Sequence, residues 1–202
     1  MNRKEFLSTT FKGTIAVVGL SCLPGLLEAT ATAAEDKPSN TLSRADLIAA
    51  AREIMTAQTY CALTTLDEEG RPQIRTMNPF PPEEDMTVYM ATSTSTRKVR
   101  HIKRDTRVML YYGNHGSAAG YVAITGRAVL VDDRAEIMKR KRAYWDSAFA
   151  PGLKNLVLIK VVAEHMDILN YARHATADPV TWRTPTLDIK VAENKAPESP
   201  AK

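Results

Sequence analysis

The sequence predicts a mainly-β domain, a small antiparallel barrel with flanking helices. Three observations carry this expectation. Short segments rich in Val, Ile, Thr and Tyr recur along the chain and are joined by hairpins. Apolar positions at helical spacing are few, so helices are inserted at isolated points instead of alternating with strands. The 202 residues, 44% hydrophobic and 25% charged, suffice for one domain with a real core, and there is no internal repeat.

The first 34 residues are expected to lie outside that domain. Arg3, Lys4 and Lys12 surround Phe6-Leu7, an apolar run covers 14–23, and small residues follow at Ala29, Ala31 and Ala33. This is the layout of a cleaved export signal, and the run is too short to span a bilayer. Asn2-Arg-Lys-Glu-Phe-Leu7 is similar to a twin-arginine signal with Lys4 in place of the second Arg, so twin-arginine and general export both stay open. Gly19-Leu-Ser-Cys22 is a poor lipoprotein box, and no stable membrane anchor is expected. An exported, periplasmic protein follows. Cleavage removes Cys22 and leaves Cys61 alone, so no internal disulfide forms and Cys61 reads as a small buried core residue.

Residues 35–42 read as a linker, 43–187 as the domain and 188–202, rich in Lys, Pro, Ala and Glu, as a disordered tail. Ser43 is a candidate N-cap with Asp46 three residues on, and Leu47, Ile48, Ala51, Ile54 and Met55 share one helix face. Strands are expected over 60–66 and 73–78, joined by a turn in which Gly70 suits positive φ. A third strand spans 86–92, a short helix 96–104 and a fourth strand 107–112. A Gly-rich loop, 113–120, leads to a long strand, 121–131, able to bend at Gly126. Asp132 or Asp133 caps a helix running to about Trp145, and 156–162 is the last strong strand, extendable through 164–171.

The chemistry concentrates in Thr92-Ser-Thr-Ser-Thr-Arg-Lys98. A helix opening at Thr96 offers free backbone N–H groups beside the hydroxyls of Thr94, Ser95 and Thr96. Arg97 and Lys98 in its first turn oppose the helix dipole, a conflict that a bound anion would remove. Alone, the stretch reads equally as a solvated basic face. Arg75 is a second basic element on a strand; with Ile74 packed into the barrel, Arg75 is expected on the outer face or at a groove, able to grip a phosphate in two places.

Ala62-Leu-Thr-Thr-Leu-Asp-Glu-Glu-Gly-Arg-Pro72, Arg75-Thr-Met77, Val88-Tyr-Met-Ala-Thr92, Thr96-Arg-Lys98 and Asp105-Thr-Arg-Val108 together resemble the pyridoxamine 5′-phosphate oxidase-like split barrels, nearest the general stress protein 26 branch. The resemblance runs from about Ser43 to Tyr171. It implies a six-stranded antiparallel split barrel, a homodimer, and FMN in a cleft at the subunit interface. By that resemblance Arg75 and Lys98 hold the FMN phosphate, with Arg97 and the hydroxyls of Thr92 and Thr96. Backbone groups of Thr76, Met77 and Asn78 run along the flavin edge, and Ala91-Thr92 meet the flavin from the third strand.

Two departures matter. Ile168-Leu169 stand where the stress-protein branch carries an aromatic pair, and the C-terminal Arg/His segment that vitamin B6 oxidases use for substrate has no counterpart. The implied function is therefore an FMN-dependent, stress- or redox-related oxidoreductase that does not oxidise vitamin B6. The alternative is a non-catalytic carrier of flavin, F420 or haem, with His101 or His115 as the haem ligand. No catalytic side chain is named. A nucleic-acid partner is not expected, because the formal charge of +4 is modest and the basic residues do not spread. The four histidines show no metal-ligand spacing. His101 reads as a surface residue, and His115 as either a solvent-exposed loop position or a flavin neighbour.

Overall fold

The computed structural model describes residues 42–113, 116–117 and 119–189. The expected export signal, most of the linker, His115 and residues 190–202 lie outside that set. Among the described residues no helix is long and apolar enough to cross a membrane.

Helix α1 (Arg44–Ala57) opens on Ser43, whose hydroxyl accepts from Asp46 N–H while the Asp46 carboxylate accepts from Ser43 N–H, a complete capping box. It buries Leu47, Ala50, Ala51, Ile54 and Met55. The strands follow as β1 (Cys61–Leu66), β2 (Pro72–Met77), β3 (Val88–Ser93), β4 (Arg107–Gly113), β5 (Gly120–Val131), β6 (Leu156–Asn170) and β7 (Thr186–Asp188), with α2 (Arg97–Arg104) between β3 and β4. All ladders are antiparallel, in the order β2-β1-β4-β5-β6-β3, with β7 added to β6. The sheet curls into the predicted split barrel of six strands, and β2 and β3 are its two edges.

Two glycines set the path. Gly70 takes φ +78° in the β1–β2 turn, as its sequence context predicts. At Gly126 a Cβ would lie 2.1 Å from the carbonyl oxygen of Val162, and the β5–β6 register shifts between Thr125 and Gly126. That close approach produces the expected bend, after which one continuous β6 replaces the two segments read from the sequence.

The core fills the concave face. Leu63, Leu110, Val122, Ile124, Ile159, Met166 and Ile168 come from the sheet, and α1 with Ile102 of α2 closes it. Cys61 is buried there beside Tyr112, and burial pushes its thiol up to about 11, so it is an inert core group. A second cluster, Tyr89, Ile137, Trp145, Leu153, Leu156 and Leu158, covers the opposite face of β3 and β6.

That second cluster corrects one element. The helix expected from Asp133 to Trp145 is two short helices, α3 (Arg134–Lys139) and α4 (Trp145–Ala148). Asp133 does cap α3, accepting from Glu136 N–H at 3.0 Å. The chain then turns because Arg140 and Arg142 reach tertiary partners and Trp145 must be buried. Arg140 pairs with Glu83 and Glu136 and lies 3.7 Å over the Tyr89 ring. Arg142 lies 4.1 Å over Phe80 and donates to the Pro79 carbonyl at 2.7 Å. β7 is the other addition: the expected tail begins at Asp188, yet Asp188 pairs with His165 and Leu187 is buried.

Candidate functional site

The register of β1 and β2 places the first site residue. Cys61 pairs with Met77, Leu63 with Arg75 and Thr65 with Gln73, so Arg75 shares the inward face with Leu63. Ile74 points outward and is 71% exposed. This reverses the expectation of Ile74 inside and Arg75 outside. The parity is dictated by β1, whose Cys61, Leu63 and Thr65 are all buried and leave β2 only one way to pair.

Half-buried near the barrel's edge, Arg75 donates from Nη1 to the Leu63 carbonyl at 3.0 Å and to Thr65 Oγ1 at 2.8 Å. Its Nε and Nη2 have no protein partner among the described residues. Lys98 donates to Thr92 Oγ1 at 2.9 Å, and Thr92 Oγ1 stands 3.4 Å from Thr96 Oγ1. The Thr96 hydroxyl bonds to the Ser93 carbonyl at 2.9 Å and makes no capping bond to α2. The helix therefore starts with free N–H groups and no acidic residue in its first turn.

Among the described residues no carboxylate neutralises these cations. Burial lowers the Arg75 guanidinium's affinity for its proton, and Arg97 adds repulsion. Lys98 is lowered by burial and then by Arg75. Two half-buried like charges, Arg75 and Lys98, with the exposed Arg97 beside them, repel one another in the bare chain, an arrangement that suits an anion rather than a fold. Two hydroxyls and an uncapped helix start complete a donor set that fits a phosphate group.

Other expected residues fall around this centre in different ways. Thr92 is buried and points into it. Met77 is a core residue, and Thr76 lies on the outward face with Ile74, so only their backbone could meet a ligand. Asn78 leaves the strand at partial burial. Ala91 packs its methyl against the Trp145 cluster, on the face opposite Thr92. Its backbone groups share the parity of Tyr89, whose carbonyl accepts from Phe80 N–H at the outer edge, so they face that edge.

His101 is the residue that the sequence reading misplaced. It is 8% exposed, and Nδ1 lies 2.9 Å from Thr65 Oγ1, the same hydroxyl that Arg75 contacts. A signal existed: His101 follows Lys98 by three residues and adjoins Ile102, on the inward face of α2. Thr65, fully buried, was likewise not singled out. The outward face of the sheet is apolar in patches, with Ile74, Met109 at 37% exposure, and Tyr111 stacked on Tyr121 at 5.6 Å. Two recesses lie elsewhere. One, of about 510 Å³, is lined by Leu47, His174, Asp178 and Arg183; the other, of about 340 Å³, surrounds Met109, Arg127 and Glu164 on the outward sheet face. Neither includes Arg75 or Lys98.

The family model for pyridoxamine 5′-phosphate oxidase matches residues 47–170, so the chain belongs to that family. No curated protein matches the sequence. Among solved structures, a protein related to general stress protein 26 from Clostridium acetobutylicum superposes with a TM-score of 0.59 at 18% identity, covering 73% of this chain and 97% of its own. General stress protein 26 from Bacillus anthracis gives 0.53 at 22% identity, with 60% and 92% covered. A haem-binding protein from Mycobacterium smegmatis gives 0.52 at 14% identity, with 73% and 59% covered. These likenesses establish the split-barrel fold.

Proposed function

We propose that this chain is an exported FMN-binding protein, an oxidoreductase that works in redox or stress chemistry and does not oxidise vitamin B6. The observation that carries the reading is the set of cations without carboxylates: Arg75, Arg97 and Lys98, with the hydroxyls of Thr92 and Thr96. Their side chains would hold a phosphate monoester, whose charge offsets both their desolvation and their mutual repulsion. Backbone groups of Thr76–Asn78 and of Ala91 would border the ring system, and the buried Met77 side chain fixes the first of these segments. FMN, when bound, supplies hydride or electron transfer at its own ring, so the protein needs to bind, orient and shield it.

The proposal includes a homodimer. Ile74, Met109 and the Tyr111–Tyr121 pair form an outward sheet face that a second copy would cover. Haem is the weaker reading, because His101 is only 8% exposed and packed against Thr65, and His115 lies outside the described residues. F420 carries a phosphate too and would use the same anchor.

The test is the visible spectrum of the purified chain before and after adding FMN. The flavin reading expects twin bands and release of FMN on denaturation. A sharp Soret band favours haem, and uptake of neither overturns the reading.

A further inference from the structure

We propose that His101 is a positioning residue for the phosphate anchor: through the Thr65 hydroxyl it fixes the Arg75 guanidinium in the pocket. The inference rests on the reading of Arg75 as the phosphate anchor and assigns a role to two residues outside the expected ligand set.

The donor and acceptor inventory is consistent with one direction of the relay, which the tautomer then fixes. Arginine can only donate, so Thr65 Oγ1 accepts from Arg75 Nη1 at 2.8 Å. The relay assigns the hydroxyl proton to His101 Nδ1 at 2.9 Å, with the ring neutral and its proton on Nε2. Thr65 is fully buried and His101 nearly so, and water cannot readily take the place of either partner. The Leu63 carbonyl, 3.0 Å from the same Nη1, supplies the second point of the clamp.

The surroundings keep the ring neutral. His101 is lowered by burial first and by Arg75 on β2 next; Arg97 and Arg100 on its own helix act the same way, and Asp67 in the β1–β2 turn opposes them. An imidazolium would reverse the bond to Thr65 and bring a further positive charge beside Arg75. Arg75 sits on an edge strand and would otherwise spread over many rotamers. The relay holds it with Nε and Nη2 unpartnered among the described residues, so the geometry is set before any anion arrives.

Four single variants of the full chain test this by titration with FMN and, separately, riboflavin, which lacks the phosphate. His101→Leu and Thr65→Val cut the relay; His101→Asn and Thr65→Ser keep an acceptor and a hydroxyl. The expected result is about a tenfold loss of FMN affinity in the first two. The conservative pair should stay within about twofold of wild type, and riboflavin binding should be unchanged throughout. Imidazole ¹⁵N NMR of the ligand-free chain should show Nε2 protonated and Nδ1 accepting at neutral pH, with the Nδ1 signal moving in Thr65→Val. Wild-type FMN affinity in both cut variants, while Arg75→Ala loses it, overturns the relay. Equal losses for FMN and riboflavin overturn it as well, as the mark of general loosening. If Arg75→Ala also keeps FMN affinity, the anchor reading itself fails. Should His101→Leu not fold, Thr65→Val and the ring signals decide.

Discussion

Two arginine-rich regions of this chain carry the same charge and treat it in opposite ways. In the β5–β6 connection Arg140 pairs with Glu83 and Glu136 and covers Tyr89, while Arg142 covers Phe80 and holds the Pro79 carbonyl. In the pocket Arg75 and Lys98 meet hydroxyls and a carbonyl, Arg97 stands exposed beside them, and among the described residues no carboxylate pairs with any of the three. The first region is satisfied within the fold. The second has no such partner among the described residues, and that difference marks the candidate site better than the density of basic residues does.

The largest expected effect breaks the comparison at the pocket. Arg75→Ala combined with Lys98→Ala should abolish FMN uptake, about a hundredfold or more in affinity, with circular dichroism and solution mass unchanged. Arg140→Ala should do the reverse, leaving FMN affinity alone and lowering stability by about 1–2 kcal/mol in urea unfolding, because an ion-pair network and a cation–π contact are lost. An FMN defect in the Arg140 variant that matched the double variant would erase the distinction.

A smaller effect sharpens it. Lys98→Met should stabilise the ligand-free chain by about 0.5–1 kcal/mol while weakening FMN binding, since a buried like charge disappears. The corresponding Arg140→Met should destabilise. Opposite signs in two thermal melts would separate a functional cation from a structural one.

The smallest effects lie in pH. His101 titrates below its ordinary value in the fold, so the unfolded chain binds its proton first. Stability of the ligand-free chain should fall as pH drops below about 6.5, and His101→Asn should lack that step. Asp105 is held at about 2 by the Arg107 side chain, and Asp67 also at about 2, where hydrogen bonds from Arg71 outweigh its partial burial. Their stabilisation is present above the ordinary carboxylate range and lost between about pH 4 and pH 2. A single unfolding step at the lower pH alone would mean that the pocket contributes nothing in the higher window.

Much of the fold was legible because each element announces itself locally. Ser43 and Asp46 cap α1, Gly70 turns the first hairpin, Gly126 bends β5, and the order of motifs pointed to the split barrel. The candidate anchor was half legible: Thr92, Thr96, Arg97 and Lys98 lie within seven residues. Arg75 was named with its side chain on the wrong face, since a lone Ile on a strand argues for burial and Ile74 is the exception. Trp145 was rightly read as a core or interface residue, but the break in its helix came from Phe80, Tyr89 and Pro79, which lie far away in sequence.

The sequence by itself determined the split barrel, the cationic stretch at the start of α2 and the pairing of that stretch with Arg75, because periodicity, turn chemistry and motif order are local properties of the chain. Only the tertiary structure decided which way β2 faces, that His101 is buried against Thr65, and that the pocket cations have no carboxylate partner among the described residues. Those facts depend on the pairing register with β1 and on burial, and burial exists only once distant segments have packed.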